Sequence, residues 1–224
     1  MNPIAKAVVW WKLLKAGLIL VRDPSKLNEV FDIADTLFES EREMTDAMVN
    51  EAREHEQGRK AFALRPRVGD VRRERLLSLP EGSLGRAFGD FLQQRNLDPA
   101  ALPTREAADD RTYLSAHLYE THDLWHVVTG FETDVAGELG LQAFYAAQVC
   151  GKLPVALLTL GLLNTFLYAF DDRHRRLEAI AHGWQLGKRV RPLVGYDWGT
   201  SFTRPLSAVK ADLGFPATGS AMAA

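Results

Sequence analysis

Residues 121 to 138 read THDLWHVVTGFETDVAGE and hold a set of side chains able to bind a metal. His122 and His126 are four residues apart. On a helix that spacing stacks them on one face, about 6 Å apart, so both imidazoles can reach one ion. Asp123 points roughly 100° around the helix from His122 and precedes His126 by three residues. It can swing in as a ligand or fix the His126 ring from behind. On one unbroken helix Glu138 would lie roughly 18 Å beyond His126. Gly130, however, is a natural helix stop, and Thr133 a natural N-cap for a second helix. In the resulting hairpin His126 and Glu138 sit at one level, each about 6–7.5 Å from the turn. His122, His126 and Glu138 are therefore expected to gather around one ion, with Asp123 as the fourth candidate.

Two imidazoles and a carboxylate with open positions suit catalytic zinc and also non-haem iron. Zinc could act there only as a Lewis acid. The bland alternative is a buried polar cluster with no metal. The pattern is not the zinc-protease motif, which places Glu directly after the first His. It also lacks the further separated His and Asp of the usual HD phosphohydrolases. His55, His117, His174 and His182 read as structural or surface residues.

The elements that must position these groups read as helices. Asp110 to Thr129 and Asp134 to Gly151 carry the motif. Asn28 to Gln57 has apolar residues at Val30, Phe31, Ile33, Ala34, Leu37 and Phe38, spaced for one helix face. Leu79 to Gly85 is a turn signal leading into a helix over Arg86 to Arg95, and Asn96 to Pro103 reads as a loop. Arg189 to Trp198 could hold a short extended piece, limited by Pro192 and Gly195. The fold is expected to be all-α, a single-domain helical bundle over residues 1–216, with a disordered tail over 217–224.

Composition narrows the function. The chain has 224 residues, 46% hydrophobic and 25% charged, which excludes disordered and collagen-like classes. A net charge of −2 argues against general nucleic-acid binding. The single cysteine, Cys150, excludes an internal disulfide and cysteine-rich zinc sites. Arg65, Arg67, Arg72, Arg73 and Arg75 could attract an anion, but such runs are usually solvated or paired. Ile4 to Val21 is apolar but interrupted by Lys6, Lys12 and Lys15, so it is neither a secretory signal nor a good span. It reads as a core helix, or as an interfacial one with Trp10 and Trp11 at the water boundary. Leu153 to Phe170 carries no charge. It is a core helix, the wall of a greasy cavity, or a marginal span, in that order.

His122-Asp123-Leu124-Trp125-His126, eleven residues, then Glu138 resembles the HDxxH-x11-E motif of the coenzyme Q (ubiquinone) biosynthesis family Coq-four. Arg65-Pro66, the segment from Leu79 to Phe88, Phe91-Leu92, Glu120, Gly130, Leu153-Pro154, Gly183 and the stretch from Leu206 to Phe215 are similar to the family pattern. The resemblance departs from it at His117 and Tyr119, where members carry arginines. Gln142 and Tyr145 likewise stand where members carry lysine and glutamate. The resemblance implies an all-α fold with an apolar cavity for a polyisoprenoid chain, here assigned to Leu157, Leu158, Leu162 and Phe166. It implies a divalent metal, usually zinc, on His122, Asp123, His126 and Glu138, with iron as the other option. The implied activity is loss of the ring carboxylate from a polyprenylated hydroxybenzoate, linked to ring hydroxylation. The alternative is a non-catalytic isoprenoid- or lipid-binding scaffold. Implied partners are the prenylated quinone precursor, a membrane surface and other quinone-biosynthesis proteins; nucleic acid is not among them. A divergent bacterial member would sit in the cytoplasm on the inner membrane, and a homodimer is left open.

Overall fold

The protein is described from a computed structural model covering residues 3–98 and 105–216; for residues 3–6 and 27 only the backbone is described. The tail expected to be disordered, residues 217–224, and part of the loop expected over Asn96 to Pro103 lie outside the described residues. The fold is all-α, as the periodicity requires. The helices are α1 (Pro3–Arg22), α2 (Leu27–Ser40), α3 (Arg42–Glu54), α4 (Glu56–Leu64), α5 (Arg73–Leu77), α6 (Leu84–Gln94), α7 (Asp110–Thr129), α8 (Val135–Gln148), α9 (Lys152–Tyr168), α10 (Arg173–Arg189), α11 (Trp198–Ser201) and α12 (Leu206–Asp212). No strand occurs among the described residues; in place of the extended piece expected between Arg189 and Trp198, irregular backbone with a turn at Val194 and Gly195 joins α10 to α11. The described residues divide into two compact units, 3–48 with 131–188, and 49–98 and 105–130 with 189–216.

In the first unit, the apolar face of α2 supplies Val30, Ile33 and Leu37. They close on Ala16 and Leu20 of α1 and on Leu153, Leu157 and Leu160 of α9. The expected continuous helix from Asn28 to Gln57 is instead α2, α3 and the start of α4. It breaks at Glu41, whose carboxylate pairs with Lys152 at 2.9 Å, and again at His55, whose backbone is extended.

The uncharged stretch is α9, and it is not a core helix. Pro154 sits in its first turn, where its missing N–H costs nothing. Gly161 lets α8 approach, since a Cβ there would lie 2.2 Å from the Leu139 side chain. Of the 17 residues only Pro154, Asn164 and Thr165 are fully buried. Leu157 and Leu158 are half-buried, whereas Leu162 and Phe166 are exposed, Phe166 by 68%. On α1, Ala16, Leu20 and Val21 are buried, while Val8, Trp10, Trp11, Leu14 and Leu18 face outward, Trp10 by 68%. No single helix among the described residues is long and apolar enough to cross a membrane; α9 with the segment after it would qualify only as a pair bent by 120°.

Asn164 explains why a polar residue sits inside that greasy helix. Its amide donates to the Val21 carbonyl at 2.8 Å, closing the end of α1, and its Oδ1 accepts from Arg176 at 2.8 Å. Arg176 also donates to Thr165 Oγ1 at 3.0 Å and to Asp172 at 2.8 Å. The second unit is built around α7, on which every residue is buried or half-buried, as expected of an interior helix. α6 packs on α5, α7 and α12.

Candidate metal centre

The helix carrying the histidines runs over the residues its pattern predicts. Asp109 caps it by accepting from the Thr112 N–H at 2.8 Å, and Thr112 answers by accepting from the Asp109 N–H at 2.9 Å. Gly130 ends it in the left-handed region at φ 83°, where a side chain would be strained. Its N–H donates to the His126 carbonyl at 2.8 Å, so the cap lands on a candidate ligand residue. α8 starts one residue later than expected. Its cap is Asp134 rather than Thr133, with the carboxylate accepting from the Gly137 N–H at 2.8 Å and pairing with Arg175. Carboxylate caps match hydroxyl caps in strength, and this one gains a cation as well. Glu138 follows in the first turn of α8.

Ligand-capable atoms of His122, His126 and Glu138 all lie within 4.8 Å of one another. Donor atoms around one tetrahedral zinc stand roughly 3.3 Å apart at bond lengths of about 2.0–2.1 Å, so rotamer-sized adjustments suffice. The two imidazoles meet edge to face, with centroids 5.0 Å apart. His126 is 1% exposed; His122 and Glu138 are half-buried. A half-open pair of imidazoles with one carboxylate fits a catalytic rather than a closed structural site. Asp123 is half-buried and stands outside this three-residue group. Leu157, Leu158, Leu162 and Phe166 lie on α9 as described above.

The other sequence candidates resolve into structural roles. Arg65 pairs with Asp110 at 3.2 Å, Arg67 with Glu120, and Arg72 with Asp70 at 2.7 Å. Three of the five arginines in the run are thus paired, with acids other than those of the helix preceding it, and Arg75 donates to the Asp70 carbonyl.

His117, one of the departures from the family pattern, is 4% exposed and holds the 192–195 turn. Its Nε2 accepts from the Gly195 N–H at 2.9 Å, and it also bonds the Leu193 backbone. Beside it, the Gln57 amide donates to the Pro192 and Val194 carbonyls at 2.9 and 3.1 Å. Burial pushes the His117 imidazolium down to about 4, against a smaller opposing pull from the Glu120 carboxylate. The folded state therefore refuses a proton that the unfolded chain accepts near pH 6.5. Stability is unaffected above that pH and falls as pH drops from 6.5 towards 4, by about 3 kcal/mol in all. Urea unfolding between pH 7.5 and 4.5 should show this slope, and His117→Gln should flatten it while lowering stability at pH 7.5. Equal slopes in the two proteins would reject the assignment.

One contact has no sequence signal. Phe91 of α6 stacks on the His126 ring, with centroids 5.8 Å apart and planes 26° apart. Its buried position is readable from periodicity, but its partner is set by tertiary packing.

A family model described as "Coenzyme Q (ubiquinone) biosynthesis protein Coq4" matches residues 7–218. The chain is 27% identical over 161 residues to the mitochondrial ubiquinone biosynthesis protein coq-4 of Caenorhabditis elegans, covering 70% of this chain and 68% of that protein. It is 27% identical over 203 residues to the Bos taurus mitochondrial COQ4 homolog, covering 89% and 74%, and 30% identical over 162 residues to that of Rattus norvegicus, covering 70% and 60%. It thus spans between three fifths and three quarters of these relatives' own lengths. A crystal structure of a Nostoc punctiforme protein, provisionally assigned to ubiquinone biosynthesis, superposes with a TM-score of 0.77 at 29% identity, covering 91% of this chain and 96% of that one. With the motif residues in place and the family match running through nearly the whole sequence, the chain belongs to the Coq4 family of ubiquinone biosynthesis proteins.

Proposed function

We propose that the chain is a metal-dependent decarboxylase of a polyprenylated hydroxybenzoate in ubiquinone biosynthesis. The observation that carries this reading is the His122, His126 and Glu138 group, whose donor set matches catalytic zinc or iron. When bound, the ion would supply Lewis-acid stabilisation to a ring oxygen as negative charge builds on the ring. His122, His126 and Glu138 would hold the ion, whose positive charge would offset the negative charge on the ring. Asp123, half-buried and next to His122 in the chain, would relay a proton from water to the ring carbon from which carbon dioxide departs. The prenyl tail rests on the apolar side of α9, through Leu157, Leu158, Leu162 and Phe166. Tail binding supplies affinity and the polar group supplies the barrier reduction.

The test is elemental analysis of the purified chain, with turnover of a prenylated hydroxybenzoate in the presence and absence of oxygen. Stoichiometric metal with carbon dioxide release supports the reading. Dependence on oxygen marks coupled ring hydroxylation, and metal-free protein with no turnover rejects the enzyme. Co-purified isoprenoid with no turnover would favour the scaffold.

We further propose that the protein sits on the cytoplasmic face of an inner membrane, near other quinone-biosynthesis proteins; the exposed apolar sides of α1 and α9 support this reading. Trp10 and Trp11 suit the water boundary, and exposed Lys12 and Lys15 suit anionic headgroups. Trp10→Glu combined with Phe166→Glu is expected to weaken sedimentation with anionic phospholipid vesicles at least about tenfold. Equal sedimentation would reject this placement.

A further inference from the structure

We propose that Phe91 is a positioning residue that fixes the His126 imidazole for metal binding; this rests on the metal reading above. The His126 ring is held on two sides. Phe91 stacks on its face at 5.8 Å, and His122 meets it edge-on at 5.0 Å. An imidazole turns about its last side-chain bond in a broad well, so backbone placement alone does not aim its nitrogens. A flat aromatic partner does, because only one ring plane keeps the stack.

Phe91 is itself well held. It is buried, and the Arg95 guanidinium lies 4.1 Å from the centre of its ring. Its helix is pinned at close range on two sides. A Cβ at Gly85 would lie 3.0 Å from the Phe202 backbone oxygen, and one at Gly89 3.0 Å from the Leu77 backbone nitrogen. These close approaches fix where α6 presents Phe91. A ligand shell left to find its geometry on binding loses affinity, and groups behind metal ligands commonly contribute 10–100-fold.

Phe88 supplies the control. It lies on the same helix, is equally buried, and stacks on Phe202 at 6.2 Å rather than on a candidate ligand. The experiment measures zinc affinity of the wild-type chain, Phe91→Leu, Phe91→Tyr and Phe88→Leu by competition with a chromophoric chelator, with thermal melts of each metal-free protein. Phe91→Leu is expected to lose about 10–100-fold in zinc affinity. Phe91→Tyr keeps the stack and should restore most of it. Phe88→Leu should lower the melting temperature as much as Phe91→Leu does while leaving zinc affinity unchanged. If Phe91→Leu binds zinc as the wild type does, or if Phe88→Leu loses as much affinity, the positioning role is overturned. Wild-type protein that binds no zinc overturns the metal reading instead, and this role falls with it.

Discussion

Glu138→Gln is expected to strip the metal from the purified chain and to end turnover while leaving the fold intact. The substitution removes a charged donor from a group of three, so affinity should fall by more than about 100-fold, the upper end of what outer-shell changes cost. A thousandfold fall in turnover corresponds to about 4 kcal/mol of lost transition-state stabilisation. The fold should survive because Glu138 is half-buried and lies in the first turn of α8, where its charge contributes about 0.3–1 kcal/mol through the helix dipole. His126→Ala should give the same loss of metal and turnover but a lower melting temperature, since it empties a buried site. The pair separates chemistry from packing. Full turnover in both variants would show that the reaction does not use this group.

Arg176→Met should lower stability by about 1–3 kcal/mol. Arg176 is 6% exposed and charged, and it donates to Asp172, Asn164 and Thr165. Methionine fills much the same volume but cannot donate. The Asn164 oxygen would be stranded in the interior, and a stranded polar group forfeits its full desolvation cost. The effect on Asp172 is smaller, because Arg175 also holds its carboxyl down to about 2. Asn164→Leu should cost less, because removing a polar group together with its need for a partner is milder than orphaning one. Urea titration of both variants checks the order; the reverse order would show that the asparagine, not the arginine, organises the contact.

The motif region was the most readable part of the chain. The capping pair Asp109 and Thr112, the helix stop Gly130 and the i, i+4 histidines are local signals, and α7 follows them. The break after Ser40 was not readable, because no glycine or proline marks it; the Glu41–Lys152 pair that accompanies it spans over a hundred residues. Only Gly58 hinted at the second break, where a Cβ would lie 1.8 Å from the Ala52 carbonyl oxygen. The outward greasy side of α9 was also hidden. A helix apolar all round gives no periodic signal to say which side faces out. At the candidate site the spacing of His122, His126 and Glu138 was readable, but the ring behind His126 depends on where α6 packs.

The start of α6 carries a consequence for how the chain is made. The N–H groups of Leu84 and Gly85 donate to the carbonyls of Arg204 and Phe202, both at 2.9 Å, and the Leu206 N–H returns to the Gly82 carbonyl at 2.8 Å. The helix that backs His126 is thus completed by residues translated well over a hundred codons later. At about 5–20 residues per second, the ribosome takes roughly 6–24 s to supply them. For most of that interval, from the addition of His126 onward, both histidines and the aromatic ring exist, but the contacts that complete the start of α6 do not. On the proposed metal reading, capture in the final geometry would therefore belong to the finished polypeptide, not to the nascent one.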